Sequence, residues 1–490
     1  MRNALVAAFA LSWALLAGGR LAAQTQPVSE HAFLQQVREN HPLMRRAATL
    51  LEVAEAKELE ARGAFDPKVG ATWKDKVYDG TPYESQGGPE LTWESPLGVG
   101  LNAGWNTATG ERLDASDYVP EGGLWAVGGT VRLGRGLWTD SRRATLAKAK
   151  ALVGAGDAER ILEENDVLLH ASMDYWSWYK AWVKWNVSKE TESLAFDRLD
   201  WSRNRLESGE GAALDTLEAH WNWTTRRASR AASEGSLREA QSKVERWLWM
   251  DDWVPATLPQ EAFPDPELLD RQSLQPTQLW SDPQSAQHTA SQSLWLRHPY
   301  RQLYTSKGEA QAADVAYRRE WLKPQVDGAF AMYSSDLPGS TDWSTPSWDN
   351  NHRLELKVSM PLFLRTERGA LHAAQLAQEQ TELDLVTEQA NWAAKVAGLA
   401  RKLPLLLDQT QSTQLAVDLA SQLLEAEQMR FELGESSLFL VNSRENALLS
   451  AQTLNAEAIY NLHMAWRTWL WNLGQTDLSQ ADLERRILER

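Results

Sequence analysis

The residue types that perform acid–base, nucleophilic or metal chemistry are not spaced in this sequence as an active site requires. The nine histidines include no His-x-x-x-His pair and no cluster with ligand spacing. The chain has no cysteine, which excludes disulfides and thiolate chemistry. No Gly-x-Ser-x-Gly, P-loop or paired-carboxylate motif occurs in a setting that would support it. We therefore predict that the protein is not an enzyme and uses no metal or cofactor.

Carboxylates cluster around two short phrases that contain glycine. The phrase RLESGE at Arg205–Glu210 returns as RFELGE at Arg430–Glu435. Both phrases fall where a long helical stretch must end, and Gly209 and Gly434 can adopt the left-handed conformation that terminates a helix. They are predicted to be two hairpin tips. The carboxylates could form an acidic ring, or they could be solvated charges at a turn; they are Glu207, Glu210, Asp215, Glu432 and Glu435.

The repeated phrase belongs to a duplication that runs through the whole chain. Three further anchors return in the same order at offsets of 257, 227 and 222 residues: His41-Pro42 with Pro67 as His298-Pro299 with Pro324, Val131 as Val358, and Trp247-Leu248-Trp249 as Trp469-Leu470-Trp471. The first drop in offset leaves 30 extra residues in the first copy, between Val69 and Val131. They are enough for one more β-hairpin or for a long surface loop, and the sequence leaves both open.

Each copy is predicted to contain a helix, a β-region, a very long helix, a tip and a returning helix. In the first copy, 24–250, these are helix 30–64, β-region 67–137, long helix 139–205, tip 206–213 and returning helix 214–250. In the second copy, 283–475, they are helix 283–322, β-region 325–362, long helix 366–430, tip 431–437 and returning helix 438–473. A proline-rich joint, 251–282, separates the copies. Residues 1–23 have the pattern of a secretory signal peptide, and 476–490 form a C-terminal tail.

Periodicity indicates what these elements do. The long helices of about 65 residues would each be roughly 100 Å long, more than a compact domain holds. After the signal peptide no stretch approaches about 20 apolar residues, so a membrane would have to be crossed by β-strands. His352–Pro361 alternates apolar and polar residues as such a strand does. Four tryptophans of the β-region are predicted at the lipid–water boundary, namely Trp73, Trp93, Trp105 and Trp125.

This order of elements resembles the TolC family, the outer-membrane factors of bacterial efflux and type I secretion systems, over residues 28–475. In that family a tip has an apolar or aromatic residue, then Gly, with Asp six and Ala ten residues after the Gly. The first tip matches fully with Leu206, Gly209, Asp215 and Ala219. The second has Phe431 and Gly434 but places Leu440 and Arg444 at the Asp and Ala positions. The family's Pro-Leu between strand and helix is kept at Pro361-Leu362, whereas Arg135 occupies the proline site of the first copy.

The resemblance implies a mainly α fold with β, in which internally duplicated long α-hairpins form an α-helical barrel and the subunits of a homotrimer share a membrane β-barrel. It implies an outer-membrane exit duct that extends into the periplasm and works passively with a periplasmic adaptor protein and an inner-membrane pump. Outer-membrane lipid is an implied partner. Nucleic acid is not, because the formal net charge is −16. The alternative is a periplasmic coiled-coil scaffold or adaptor that never enters the membrane. The sequence does not indicate the cargo or the inner-membrane transporter.

The resemblance also implies two sites at the tips. A periplasmic gate would involve Asp215 with Leu440 and Ser443, the last two standing where the family can carry carboxylates. An apolar gate built by Leu438–Val441 is the other interpretation. The adaptor would dock on the tips themselves, or these residues only turn the chain; they are Leu206, Ser208, Gly209, Glu210, Gly211 and Ala212 in the first copy and Phe431, Gly434, Glu435, Ser436 and Ser437 in the second.

Overall fold

The structure is a computed structural model that describes residues 26–111, 113, 119–259, 261–269, 294–335 and 351–474. The predicted signal peptide, 1–23, the C-terminal tail, 476–490, and parts of the joint 251–282 and of helix 283–322 lie outside the described residues. The chain divides into two compact units. The first unit contains Met1–Arg46, Glu163–Leu294 and Asn391–Arg490, and the second contains Ala47–Leu162 and Trp295–Ala390.

The elements follow the duplicated order. Those of the first copy are β1 (Gln26–Val28), α1 (Glu30–Asn40), α2 (Pro42–Gly63), β2 (Lys68–Tyr78), β3 (Thr81–Glu94), β4 (Val99–Thr109), β5 (Leu124–Arg132), α3 (Ser141–Glu207) and α4 (Ala213–Glu245). Three short strands follow, namely β6 (Trp249–Met250), β7 (Val254–Pro255) and β8 (Ala262–Pro264). The second copy has α5 (Pro299–Glu320), β9 (Gln325–Ser334), β10 (His352–Ser359), α6 (Arg365–Glu432) and α7 (Leu438–Asn472).

The predicted first helix, 30–64, is two helices that meet at His41. The backbone of His41 is extended, with φ −76° and ψ 132°, because a residue before proline avoids the helical region. Its Nδ1 accepts a hydrogen bond from the backbone N–H of Leu43 at 3.1 Å. His298 makes the same contact with the N–H of Tyr300 at 3.2 Å and caps α5. The two recurring His-Pro pairs are therefore helix caps.

One antiparallel sheet of the second unit contains six strands in the order β10-β9-β5-β4-β3-β2. The sequence anchors equate β2 with β9 and β5 with β10. The strands β3 and β4 therefore have no counterpart in the second copy, and they lie inside the sheet, paired with β2 and β5 and with each other. Of the two interpretations of the 30 extra residues, the structure favours the β-hairpin. Residues 336–350, between β9 and β10, lie outside the described residues.

Two short strand pairs escaped the sequence analysis. The strand β1 pairs in parallel with β8, and β6 pairs with β7. The joint after the first copy thus holds strand segments, although each is only two or three residues long. Such short pairings carry no periodic signal.

The core of the first unit is rich in aromatic side chains. Phe33, Tyr175, Trp176 and Trp178 are fully buried there together with Val37 and Val244. The rings of Phe33 and Tyr175 stack with centroids 5.7 Å apart. Burying a large apolar side chain stabilises a fold by about 1.5–3 kcal/mol, so these rings fix the packing of α1, α3 and α4. Among the helices that the structure describes, none is apolar enough over a sufficient length to cross a membrane.

Candidate functional site

The six-stranded sheet has one apolar and one polar face. Residues that are cross-strand partners share a face, so the pairings of Trp93 with Leu101, Leu101 with Gly129, and Gly129 with Phe330 place one row on the same side. Leu354, the partner of Phe330, continues that row onto β10. The exposed apolar residues of this face are Val69, Trp73, Leu91, Trp93, Val99, Leu101, Val127, Phe330, Met332, Leu354, Leu356 and Val358.

The apolar face is exposed from one edge of the sheet to the other. Val69 on β2 is 82% exposed and Leu354 on β10 is 76% exposed. Contiguous apolar surface of this extent marks a membrane or protein contact. All four tryptophans singled out from the sequence are on this face, and Trp105 lies directly opposite Trp125. Their position at a lipid–water boundary remains a prediction.

The opposite face carries charged and small polar residues. Glu90, Asn102 and Thr130 point to it from neighbouring interior strands, as do Arg353, Glu355 and Lys357 on β10. At its base, Arg132 contacts Asp140 at 2.5 Å and Glu94 at 3.6 Å. The pKa of the Asp140 carboxyl is lowered even though burial opposes it, because the Arg143 backbone N–H donates to it and the guanidinium groups of Arg143 and Arg132 lie close. This strand-to-helix connection is thereby fixed by ion pairs in place of the missing proline.

The two repeated phrases have the same geometry. Gly209 and Gly434 have φ of +79° and +76°, the left-handed conformation that the sequence predicted. The N–H of Glu210 donates to the carbonyl of Arg205 at 2.9 Å, and the N–H of Gly209 donates to Leu206 at 3.0 Å. In the second copy Glu435 donates to Arg430 at 2.8 Å and Gly434 to Phe431 at 3.0 Å. Both are Schellman motifs, and this explains why the phrase occurs twice.

A buried ion pair connects the two hairpins near their tips. The guanidinium of Arg198 on α3 donates to Glu445 on α7 at 2.5 and 2.9 Å and to Asn442 at 2.8 Å. Beside it, Arg226 on α4 donates to Asn446 at 2.5 Å. An apolar contact follows closer to the tips, where Leu438 packs with Leu199 and Ala219. Sequence reasoning missed this network because the partners are more than 200 residues apart.

Glu427 is a second functional candidate that the sequence did not indicate. It is buried one helical turn before the second tip and accepts a hydrogen bond from the Ser436 hydroxyl. That hydrogen bond, together with Arg430 at 3.9 Å and Arg444 at 3.6 Å, lowers the pKa of its carboxyl. Arg444, which stands where the family has alanine, thus pairs with a carboxylate of its own hairpin.

The structure places the predicted gate residues on the surface. Asp215, Leu440 and Ser443 are all exposed. Asp215 lies in the first turn of α4, where a carboxylate also stabilises the helix dipole. Within the predicted apolar gate, Leu438 and Val441 are buried while Phe439 and Leu440 are exposed. The gate therefore stays a proposal in which only exposed residues can face another copy.

Most of the predicted docking residues are exposed or half-buried at the tips. The exposed ones are Leu206, Ser208, Gly209, Glu210, Ala212, Gly434, Glu435 and Ser437, and the half-buried ones are Gly211, Phe431 and Ser436. A Cβ added to Gly209 or Gly434 would meet nothing within 4 Å, so each glycine is required by its conformation. Phe431 packs edge-on against Trp201 with centroids 5.5 Å apart. Within the described residues, no group of three or more His, Asp or Glu side chains is placed to hold a metal ion.

Comparisons with known proteins agree with this architecture. Residues 307–470 match the family described as outer membrane efflux protein. The fold resembles that of CmeC, an outer-membrane channel of Campylobacter jejuni, with a TM-score of 0.60, 11% identity, and 96% of this chain and 94% of that chain covered. It also resembles VceC, an outer-membrane protein of Vibrio cholerae, with a TM-score of 0.61, 13% identity and coverage of 91% and 97%. The outer-membrane channel OprN gives a TM-score of 0.61 at 15% identity, with coverage of 91% and 89%. No curated protein sequence matches.

These findings define the class of protein. The fold over nine-tenths of the chain is that of the outer-membrane channels, and most of the second copy is an outer membrane efflux protein domain. The predicted resemblance to the TolC family is confirmed, as is the predicted fold class of long α-hairpins joined to a β-region.

Proposed function

We propose that this protein is the outer-membrane exit duct of a tripartite efflux or type I secretion system. It acts as a homotrimer that spans the outer membrane by strands shared between subunits and extends into the periplasm by its α-hairpins. Transport is passive, and the energy comes from an inner-membrane pump that a periplasmic adaptor protein couples to the duct. The protein itself carries out no chemical step.

The observation that carries the proposal is the two-faced sheet. A spanning strand must present apolar residues to lipid and can present polar residues to a water-filled interior. Here that alternation holds across all six strands, and both outermost strands are exposed along their whole length. A periplasmic adaptor or scaffold, the alternative function, would have no use for an apolar face of that extent. The efflux-protein domain at residues 307–470 supports the same conclusion.

The tips are proposed to perform the two periplasmic tasks. Gly209 and Gly434, with the exposed backbone around them, would receive the adaptor. Asp215 on the first hairpin, with Leu440 and Ser443 on the second, would line the periplasmic entrance. Because two of these three side chains are uncharged, the entrance would select weakly by charge.

Fractionation and electrophysiology test the proposal. The full chain should appear in the outer-membrane fraction as a trimer that resists heating in detergent. The purified trimer should give steady conductance in a planar bilayer without nucleotide. Recovery of a monomer in osmotic-shock fluid would reject the duct and favour the adaptor.

A further inference from the structure

The six-stranded sheet has two free edges within the part of the chain that the structure describes. The strand β2 pairs only with β3, and β10 pairs only with β9. Every residue of both strands is exposed. Unpaired backbone groups at a sheet edge cannot be left in lipid, where no water is present to bind them. A strand from outside the chain must therefore cover each edge.

We propose that β2 of one copy pairs antiparallel with β10 of the next, so that three copies close a single barrel of eighteen strands. The number of copies rests on the proposed function; the pairing rests on the sheet. Because six antiparallel strands alternate in direction, β2 and β10 run in opposite directions. The edges of successive copies can therefore meet in the antiparallel sense that the rest of the sheet uses.

The internal duplication gives the register of this contact. Within the chain, the last strand of the first copy, β5, pairs with the first strand of the second copy, β9, and Gly129 lies opposite Phe330. Between chains, the last strand of the second copy is β10 and the first strand of the first copy is β2. Shifting the β5–β9 pairing by the offsets of 227 and 257 residues places Leu356 opposite Trp73 and Glu355 opposite Lys74.

The side chains fit that register. Trp73 and Leu356 both belong to the apolar face, so the row that crosses the sheet continues across the contact without changing sides. On the polar face the carboxylate of Glu355 meets the ammonium of Lys74, and opposite charges directly across a strand pair are favourable. A shift by one residue would turn Trp73 to the polar face and bring charges into lipid. The register is therefore specified by both faces.

The hairpin β3–β4 determines the width of the barrel. Without it, two strands from each copy of the duplication would give four per chain and twelve per trimer. The hairpin lies inside the sheet, so it cannot fold away without separating β2 from β5. At a strand spacing of about 4.8 Å and a tilt of about 40°, eighteen strands enclose a backbone diameter of about 36 Å, against about 24 Å for twelve. The duct would have the strand number of barrels that leave an open aqueous channel.

Paired cysteines test the contact, and the chain has no native cysteine to interfere. The variant Lys74→Cys with Glu355→Cys, treated with a short bifunctional maleimide in outer-membrane fractions, should yield covalent dimers and trimers on denaturing gels. Asp75→Cys with Glu355→Cys is the matched control and should yield none, because Asp75 points to the opposite face. Cross-links formed instead by Lys74→Cys with Lys357→Cys, or with Arg353→Cys, would overturn the register.

A count of strands tests the closure independently of any variant. Electron cryomicroscopy of the wild-type trimer should show eighteen strands in the membrane. A trimer with twelve strands, or one in which no cysteine pair between β2 and β10 cross-links, would overturn the inference while the proposed duct stands. A protein that is neither trimeric nor in the outer membrane would overturn both.

Discussion

Arg198 and Glu445, on helices from opposite copies of the duplication, form a buried ion pair in which Nη2 and Oε1 are 2.5 Å apart. Only 13% of the arginine side chain and 4% of the glutamate side chain are exposed. Removing one partner of such a pair leaves a buried charge without compensation, which typically costs about 3–5 kcal/mol. We therefore expect Arg198→Ala to lower markedly the temperature at which the detergent-purified protein unfolds, measured by circular dichroism.

The control for this prediction is an exposed pair. Arg238 lies 3.9 Å from Glu234 on α4, and 62% of its side chain is exposed. Exposed pairs contribute about 0–1 kcal/mol, so Arg238→Ala should leave the unfolding temperature almost unchanged. If both alanine variants behave alike, the buried pair does not hold the hairpins together.

The second tip requires glycine for its backbone conformation. At φ +76° an alanine in place of Gly434 would have no steric neighbour but would suffer the left-handed strain of about 1–2 kcal/mol. Gly434→Ala should therefore be less stable in chemical denaturation, and Gly434→Asn should recover part of the loss because asparagine tolerates this region. Gly398, in the interior of the same long helix α6, also has open space around it. There alanine should stabilise the protein by about 0.5–1 kcal/mol, and destabilisation at both sites would contradict the explanation.

Acid should destabilise the first unit through His463. Burial and the neighbouring Arg467 hold the pKa of this imidazole well below 6.5, and its Nε2 accepts a hydrogen bond from the N–H of Leu269 at 3.4 Å. The unfolded chain therefore binds a proton below pH 6.5 that the folded chain does not, and stability falls as the pH drops through this value. At pH 5.5 the loss is about 1.4 kcal/mol.

The variant His463→Gln isolates this contribution. Its unfolding midpoint should change less between pH 7.5 and 5.5 than that of the wild type. Part of the dependence should remain, because burial also lowers the pKa of His41. Glu427 does not interfere, since the pKa of its carboxyl is lowered from 4.5 and it titrates only in stronger acid. An unchanged pH profile in the variant would show that His463 is not the titrating group.

The sequence predicted the features that depend on local patterns. The doubled phrases around Gly209 and Gly434 specify two Schellman motifs, and the His-Pro pairs specify two caps, because each needs only a few neighbouring residues. The break at His41 was missed although its cause, the following proline, is visible in the sequence. The network of Arg198 with Glu445 could not be predicted, because a single sequence does not show which of many charged residues on long helices meet. The pairing order of the six strands was equally inaccessible, since alternation fixes the face of a residue and not its neighbour.

Adjacent residues of β4 provide the last prediction, which concerns the two faces of the sheet. Leu101 lies on the apolar face, paired with Gly129, and Asn102 lies on the polar face, paired with Gly128. If the apolar face contacts lipid, an arginine at position 101 costs about 2–4 kcal/mol when it lies near the middle of the bilayer. Leu101→Arg should therefore sharply reduce the heat-resistant trimer recovered from outer membranes, as quantified by immunoblot. Asn102→Arg adds the same charge at the next position but directs it into the polar interior, so its trimer level should be close to wild type. Because the two variants share size, charge and strand, a similar loss in both would mean that the strand tolerates no bulk, and a similar tolerance of both would mean that lipid does not cover the apolar face.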